Sequence, residues 1–269
     1  MNYRHGYHAG NFADVVKHIA LVAILLHLKK KDTGFWVVDS HGGRGAYDLA
    51  GEQAGKTGEA GKGVGRLTDL AGDLPEALAT YLSLVKRDNL YPGSPLIAAR
   101  LLRPQDRLTA VEKHAEEFSA LKQALAPFDN AVAEQGDGYS RAIKLLPPPS
   151  RRGLVLIDPP FEEPDEFSGL ARTLREAVRK FATGIYLAWY PVKSQAEADA
   201  FTGEVLAGGV AKAVTVDAAI KAPEGKLGRA GLLVINPPYG FDAAIRAAGA
   251  LIAPRLEAAI KTQWVAGSE

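Results

Sequence analysis

Short apolar runs alternate along the chain with longer amphipathic segments, and these two patterns predict strands and helices in turn. Runs typical of buried strands read FWVVD, RLTAVE, NAVAEQGDG, GLVLIDPP and GIYLAWYP. Helical periodicity separates several of them, over residues 115–126, 138–146 and 166–181. Strands that alternate with helices are typical of a parallel, doubly wound sheet, so the predicted fold class is α/β.

The two ends of this pattern refine the fold. Near the amino end, Asn11 is predicted to cap a helix over VVKHIALVAILLHLKK, with Asp14 in its first turn. Near the other end, only about a dozen residues separate VAKAVTVDA from GLLVINPPY, too few for a helical crossover. These two strands are therefore predicted to pair antiparallel, and a final helix follows. The expected sheet has seven strands, mostly parallel, with one antiparallel strand.

Domain organisation follows from length and spacing. At 269 residues the chain is predicted to be a single domain over 1–269, with an amino-terminal closing segment at 1–30. Gly45 and Glu112 are separated by far more than the roughly 20 residues of a simple strand–helix–strand unit. A helical insertion at about 52–107, between the first two strands, accounts for the difference and offers a surface for a large substrate.

Composition excludes several classes of function. The chain has no cysteine, so disulfides, thiolate metal sites and cysteine nucleophiles are excluded. Its net charge is +1, so a polyanion would have to be bound by local patches. The longest apolar run, IALVAILL, is too short to span a bilayer, and the start lacks a secretion pattern. We expect a cytoplasmic protein with no membrane contact.

The loop after the first strand, VVDSHGGRGAYDL, is the predicted cofactor loop, because ligands bind beyond the carboxyl ends of parallel strands. Gly43 and its neighbouring glycines allow the backbone to approach a ligand closely. Asp48 breaks the dinucleotide fingerprint, which weakens a nicotinamide oxidoreductase as a third hypothesis. Asp39 would repel a pyrophosphate and instead suits a cation such as the amino group of S-adenosylmethionine.

Acidic residues also end the next two strands. Glu112 could accept hydrogen bonds from ribose hydroxyls, and Asp137 could accept one from an adenine amino group. Each alone is equally compatible with a solvated turn. Three such acids in strand order above a glycine loop favour a Rossmann-like class I S-adenosylmethionine methyltransferase fold.

The run GLVLIDPPF ends a buried strand in a stiff acidic motif. Asp158 and the backbone carbonyl of Pro159 could accept both hydrogens of an exocyclic amine, such as N6 of adenine. Pro159 and Pro160 fix φ and lack amide hydrogens, and Phe161 offers a face for stacking a base. A plain strand exit is the alternative explanation. The similar NPPY at 236–239 ends the predicted antiparallel strand, so it should lie at the opposite edge of the sheet and take no part in catalysis.

With these motifs in hand, the chain resembles the RlmJ family, the adenine-N6 methyltransferases of bacterial 23S ribosomal RNA. The resemblance covers nearly the whole length. It is carried by YRHGYHAGNFADVVKH, DSHGGRGAYDL, YPGSPLIAARLL, RRGLVLIDPPF and KFATGIYLAWYP. The amino-terminal block distinguishes this family from other methyltransferases that carry a [DN]PP[YF] motif. The chain departs from the family at Phe161, where tyrosine is frequent, so stacking is kept but a phenolic hydroxyl is lost.

The resemblance implies a set of site residues. It implies catalysis at Asp158. It also implies cofactor contacts from a set of residues, only some of which the spacing alone selects: His18, His41, Ser94, Glu112, Asp137 and Gly138. It also implies that Tyr3, His5 and Lys17 help close the site over cofactor and base. A metal site at the histidines is not expected, because their spacing fits no ligand pattern.

Alternative functions remain at this point. The leading hypothesis is a monomeric methyltransferase that uses S-adenosylmethionine and no metal, acts on 23S rRNA and needs no obligate protein partner. A DNA adenine-N6 methyltransferase is the nearest rival, although neither a recognition domain nor a strongly basic face is evident. A non-catalytic nucleic-acid-binding or DNA-uptake accessory protein is the alternative from another class. It predicts decay of the site, yet the DPPF motif is intact.

Overall fold

The apolar runs form the strands of one large sheet, with every residue of GLVLI buried. A computed structural model describes residues 9–49, 58–87 and 90–269. Its sheet consists of eight strands: β1 (Trp36–Asp39), β4 (Arg107–Glu112), β5 (Ala131–Gln135), β6 (Gly153–Ile157), β7 (Ile185–Pro191), β8 (Ala213–Ile220), β9 (Arg229–Ile235) and β10 (Ala258–Ala266). Two further short strands, β2 (Ala46–Tyr47) and β3 (Tyr91–Pro92), pair with each other.

The strand order is β10-β8-β9-β7-β6-β1-β4-β5. Five neighbouring strands, β5, β4, β1, β6 and β7, are parallel, whereas β9 pairs antiparallel with both β7 and β8. The predicted α/β class, its mostly parallel sheet and the antiparallel strand are therefore confirmed. The chain leaves β1 towards β4 on one side and reaches β6 on the other, so the switch point lies beside β1, where ligands bind in such sheets.

The expected number of strands was one too few, because the chain does not end in a helix. After the last helix, β10 pairs antiparallel with β8 and forms the edge of the sheet. Its side chains alternate between half-buried positions at Ile260, Thr262 and Trp264 and exposed positions between them. This period of two is the signal that identifies a strand with one solvated face.

The helices cover both faces of the sheet. In chain order they are α1 (Phe12–Lys29), α2 (Glu59–Lys62), α3 (Glu76–Val85), α4 (Ser94–Leu101), α5 (Ala115–Leu125), α6 (Gly138–Lys144), α7 (Glu166–Lys180), α8 (Gln195–Leu206) and α9 (Phe241–Leu256). The pattern predicted α1, α5, α6 and α7 within two residues but did not single out α8. Among the described residues, no helix combines the length and apolar character needed to cross a membrane.

Successive residues of β6 contribute to two different cores. Leu154 and Leu156 pack with α1 on one face of the sheet, and Val155 and Ile157 pack with α7 on the other. This alternation holds β6 between two apolar layers, so the residue that follows it, Asp158, leaves the sheet at a fixed position.

Helix α1 begins as predicted, with the Asn11 side chain accepting hydrogen bonds from the amides of Ala13 and Asp14. Most of the helix is buried, including the polar residues Lys17 and His18. Between β1 and β4 the structure places α2, α3 and α4, of which α3 and α4 pack on α1. The inserted region and α1 together form one wall above the carboxyl ends of the parallel strands.

Candidate active site

A cleft of about 700 Å³ lies at the carboxyl ends of the parallel strands. Nearly all of the predicted site residues that the structure describes line it: Lys17, His18, His41, Gly43, Ser94, Glu112, Asp137, Gly138, Asp158, Pro159, Pro160 and Phe161. Asp39 is the exception, since it lies behind Ser94 rather than on the cleft wall. Tyr3 and His5 lie outside the described residues. Residues chosen from distant parts of the sequence thus come together in one cavity.

The loop after β1 is fixed by the acid that ends β4. Gly43 has φ +57°, and its amide donates to Glu112 Oε2 at 2.9 Å. A Cβ at Gly43 would lie 2.3 Å from the Tyr47 hydroxyl, so this position requires glycine. The other carboxylate oxygen of Glu112 accepts from the amide of His114 at 2.8 Å. Each oxygen keeps a second lone pair, so the carboxylate can still accept from a ribose hydroxyl.

The loop after β5 closes against the loop after β1. Asp137 caps α6 by accepting from the amide of Ser140 at 2.8 Å. A Cβ at Gly138 would lie 2.0 Å from the carbonyl oxygen of Ser40 and 3.0 Å from the ring of His41. The two loops are therefore in contact through a glycine, which brings Asp137 and His41 to the same end of the cleft.

His41 is held as a neutral ring. Its Nδ1 lies 2.7 Å from Ser40 Oγ, and its ring packs edge-on against Tyr139 with centroids 5.1 Å apart. Burial lowers the pKa of His41 to about 4, against the smaller opposing effect of nearby Asp158 and Asp137. A neutral imidazole at this position can donate and accept hydrogen bonds but brings no charge to the cleft at neutral pH.

Two further residues belong to the wall made by α1 and the insertion. Nδ1 of His18 lies 2.9 Å from the Tyr91 hydroxyl, and the hydroxyls of Tyr91 and Tyr81 lie 3.2 Å apart. Ser94, at the start of α4, donates to Asp39 Oδ2 at 2.7 Å. Spacing along the chain gave no reason to choose His18 or Ser94, because each is brought to the cleft by packing of the insertion against α1 and the sheet.

Asp39 has an unusual charge state because it is buried. Burial raises the pKa of its carboxyl to about 7, and nearby Asp158 acts in the same direction, whereas the hydrogen bond from Ser94 opposes the shift. The ordinary value is 3.8. Asp39 therefore contributes stability that is fully present below this ordinary pKa and is lost as the pH rises through about 7.

We predict that Asp39→Asn removes this loss. Melting temperatures would be measured by calorimetry from pH 4 to pH 8.5. The melting temperature of the variant minus that of the wild type should increase as the pH rises. Asp106→Asn is the matched control, since Asp106 is also buried but hydrogen bonds from Arg103 and Phe35 outweigh burial and lower its pKa. Its loss of stability should stay nearly constant over this range, because a carboxyl whose pKa lies below the ordinary value of 3.8 loses its stabilising charge only at lower pH. If the melting temperatures of Asp39→Asn and the wild type changed with pH in the same way, the raised pKa of Asp39 would be contradicted.

Asp158 emerges from the end of β6 onto the cleft wall, with its side chain 15% exposed. The ammonium of Lys17 on α1 pairs with its Oδ2 and also with Asp14 Oδ1, the latter at 2.7 Å. Burial lowers the pKa of Lys17, but the charges of Asp14 and Asp158 outweigh burial and hold this pKa well above its ordinary value. Lys17 is thus a permanent cation beside Asp158.

Phe161 is more enclosed than a free stacking platform. It has φ +52°, an uncommon backbone conformation for an aromatic residue. Such a conformation persists only where the surrounding packing holds it. Its ring packs edge-on against Phe167 at 4.7 Å and Trp189 at 5.8 Å between centroids. Trp189 follows Ala188, the register partner of Ile157, so it lines the cleft beside the DPPF motif. Trp189 was not among the residues predicted from the sequence, although its position at the end of β7 could have indicated it.

The second diproline motif lies at the other edge of the sheet, as predicted from the antiparallel direction of β9. The Asn236 side chain donates to the carbonyl oxygens of Ala182 at 2.8 Å and Gly184 at 2.7 Å. Tyr239 is 83% exposed. Neither residue lines the cleft, so NPPY ties the β9 exit to the loop before β7.

Comparison with known proteins assigns the chain to a family. Residues 32–266 match the family described as "Ribosomal RNA large subunit methyltransferase D, RlmJ". Two relatives, from Haemophilus influenzae and Escherichia coli, are each named "Ribosomal RNA large subunit methyltransferase J". Both are 39% identical, over 251 and 250 residues respectively, and the match covers 90% of this chain and 89% of each relative.

Structural comparison agrees over the full fold. A crystal structure of a protein from Legionella pneumophila superposes with a TM-score of 0.89 at 33% identity. The superposition covers 97% of this chain and 99% of the Legionella chain. The agreement therefore includes the inserted helices as well as the sheet. The cleft geometry, the family match and both relatives lead to one assignment: this chain belongs to the RlmJ family of ribosomal RNA large subunit methyltransferases.

Proposed function

We propose that the protein is an S-adenosylmethionine-dependent methyltransferase that modifies N6 of an adenine in 23S ribosomal RNA. The observation that carries this proposal is the placement of Asp158. Its carboxylate leaves the carboxyl end of β6 at the switch point and faces a cleft that two further strand-end acids, Glu112 and Asp137, also line. The family and the names of both relatives supply the ribosomal RNA.

The cleft fits S-adenosylmethionine in shape and in donor set. A Cβ at Gly43 or Gly138 would clash with neighbouring atoms. At both positions the backbone therefore packs closely against its surroundings at the cleft. Glu112 would accept from the ribose, and Asp137 from the adenine amino group. His18, His41 and Ser94 would complete the contacts. When bound, this cofactor supplies an electrophilic methyl group that is transferred from sulfur to the attacking nitrogen.

The protein's own part is to prepare the amine. The lone pair of an exocyclic adenine nitrogen is delocalised into the ring, which makes the nitrogen a poor nucleophile. Asp158 and the carbonyl of Pro159 would accept its two hydrogens and draw it towards a tetrahedral geometry. The nitrogen would form a bond to the methyl carbon as the bond between that carbon and sulfur breaks, and it would then release one proton to solvent. Holding the amine, the acceptors and the methyl group in line supplies much of the rate.

The cleft is lined by exposed side chains of both charges, among them the acidic Glu162, Glu163 and Asp165, and the basic ones could contact phosphates. Three cationic side chains line it, on the loop after β4, on α7 and on the loop after β7: Lys113, Arg172 and Lys193. Phosphate contacts of this kind position a strand without reading its sequence. The bases would then be recognised inside the cleft, where Trp189 and Phe161 provide aromatic surface.

The proposal is tested by methyl transfer from labelled S-adenosylmethionine to 23S rRNA that lacks its modifications, with nucleosides resolved by mass spectrometry. We expect N6-methyladenosine in the RNA and no product in duplex DNA of matched length. Methylation of the DNA alone would replace the proposed substrate with the rival one. Cofactor binding without transfer to either polymer would favour the accessory-protein hypothesis.

A further inference from the structure

The Lys17 ammonium is shared between two carboxylates that come from opposite sides. Asp14, one turn earlier on α1, accepts from it through Oδ1 at 2.7 Å, and Asp158 accepts through Oδ2. The side chains of Asp14 and Lys17 are each 4% exposed. Such a chain of buried charges is costly to assemble unless each member is paired, and here each member is paired.

Asp14 is itself held in place. Its second oxygen, Oδ2, accepts from the amide of Gly10 at 2.9 Å. Gly10 directly precedes Asn11, the residue that caps α1. Because nearly every residue of α1 is buried against the sheet and the insertion, Asp14 cannot follow Lys17 if the lysine moves. The carboxylate is therefore a fixed anchor for the ammonium.

This anchor affects what Asp158 can do. A carboxylate has two oxygens, and Lys17 occupies Oδ2, so Oδ1 is the one left to accept from a target amine. If Asp158 were its single counter-ion, the buried ammonium would interact with that carboxylate more strongly and would compete with the target amine for its oxygens. Sharing the ammonium with Asp14 weakens this competition and fixes the direction from which Lys17 approaches.

We propose that Asp14 is a positioning residue of the methyltransferase: it anchors the Lys17 ammonium so that Asp158 keeps one oxygen directed at the target amine. The inference rests on the proposed function, because it takes Asp158 as the acceptor for the amine. A purely structural role for Asp14, in holding the turn at Gly10 before α1, makes different predictions.

The test compares Asp14→Asn with Asp242→Asn. Asp242 is a matched control because it is also a buried aspartate in the first turn of a helix, bonded to a basic residue on that helix, Arg246, and to Trp264 Nε1 at 3.3 Å. It does not line the cleft. We expect Asp14→Asn to lower kcat by about 10- to 100-fold, the size expected for a misplaced reacting group. The Kd for S-adenosylmethionine should stay within about three-fold of the wild-type value, since the change leaves the cofactor wall intact.

The pH profile separates positioning from structure. Among the described residues, the charged or titratable groups that face Lys17 are Asp14 on its own helix, Asp158 after β6, Asp39 at the end of β1, Tyr47 of β2 and Tyr81 of α3. Burial raises the pKa of both tyrosines, so they do not titrate in the range of the assay. In the wild type Lys17 stays charged throughout the assay range. Removing the Asp14 charge should bring an alkaline limb of kcat into that range, and Asp14→Glu should restore part of the rate.

Asp242→Asn should lower the melting temperature but leave kcat and its pH profile unchanged. If Asp14→Asn behaves in the same way, Asp14 is structural and the inference is wrong.

An NMR titration of Lys17 in protein labelled with ¹³Cε-lysine provides a readout that does not depend on activity. The Lys17 resonance should titrate at a lower pH in Asp14→Asn than in the wild type, and an unchanged titration would overturn the inference. Absence of methyl transfer by the wild-type enzyme, in contrast, would count against the proposed function and leave the NMR comparison to decide the role of Asp14.

Discussion

Asp158→Ala is expected to lower the rate of methyl transfer to 23S rRNA by about 10³-fold, while the affinity for S-adenosylmethionine stays within about three-fold of the wild-type value. The reason is that the carboxylate would act on the amine and not on the cofactor, so its loss affects an interaction that strengthens in the transition state. The Lys17 ammonium keeps Asp14 as a counter-ion, so the variant is not left with an unpaired buried charge. Single-turnover kinetics and calorimetric titration with the cofactor would measure the two quantities.

Asp158→Asn refines the same prediction. An amide offers one acceptor and one donor in place of two acceptors. Lys17 already donates to the carboxylate, so it would take the amide oxygen and turn the amide nitrogen towards the cleft. The isosteric variant should therefore be nearly as slow as Asp158→Ala. A rate close to that of the wild type would show that one oxygen shared with Lys17 is sufficient.

Asn236→Ala is the control, because it alters the equivalent residue of the second diproline motif. Its side chain bonds two carbonyls in the loop before β7, and its φ of +52° is one that asparagine tolerates better than alanine. The variant should lose stability by about 1–3 kcal/mol, as expected for unsatisfied groups and backbone strain, yet keep its rate of transfer. Loss of methylation in Asn236→Ala with Asp158→Ala still active would reverse the assignment of the two motifs.

The sequence predicted best those parts of the site that depend on local pattern. Glu112, Asp137 and Asp158 each follow directly from the end of a recognisable strand, and parallel strands place their carboxyl ends at one edge of the sheet. The same logic placed Asn236 at the opposite edge. All four positions follow once the strands and their directions are known.

The remaining site residues depend on contacts between distant segments. His18 meets Tyr91, and Ser94 meets Asp39, only because the insertion packs against both α1 and the sheet. No local pattern gives that packing, and the resemblance to a family supplied these residues instead. The link from Asp14 through Lys17 to Asp158 is of the same kind, since the two ends lie on α1 and β6. Strand β10 was missed for another reason: a solvated edge strand carries a weaker apolar signal than a buried one.

Gly138→Ala is expected to raise the Kd for S-adenosylmethionine by at least about 30-fold and to lower the melting temperature. The added Cβ would lie 2.0 Å from the carbonyl oxygen of Ser40, a backbone atom that cannot rotate away. The loops after β1 and β5 would have to separate by more than 1 Å to reach ordinary contact distance, and a displacement of about 1 Å is enough to cost two orders of magnitude in a positioned site. Asp137 and His41 lie on those two loops, so their spacing across the cleft would change.

Gly169→Ala is the matched control, because Gly169 also lines the cleft but lies inside α7. The nearest atom to its added Cβ would be Tyr139 Cε2 at 3.9 Å, which is ordinary van der Waals contact. Alanine is favoured over glycine inside a helix by about 1 kcal/mol, so this variant should melt higher than the wild type and bind the cofactor equally well. Calorimetric titration and thermal melting of both variants would decide. If Gly138→Ala bound S-adenosylmethionine like the wild type, the contact between the two loops would not form the cofactor site, and the roles proposed for Asp137 and His41 would fail with it.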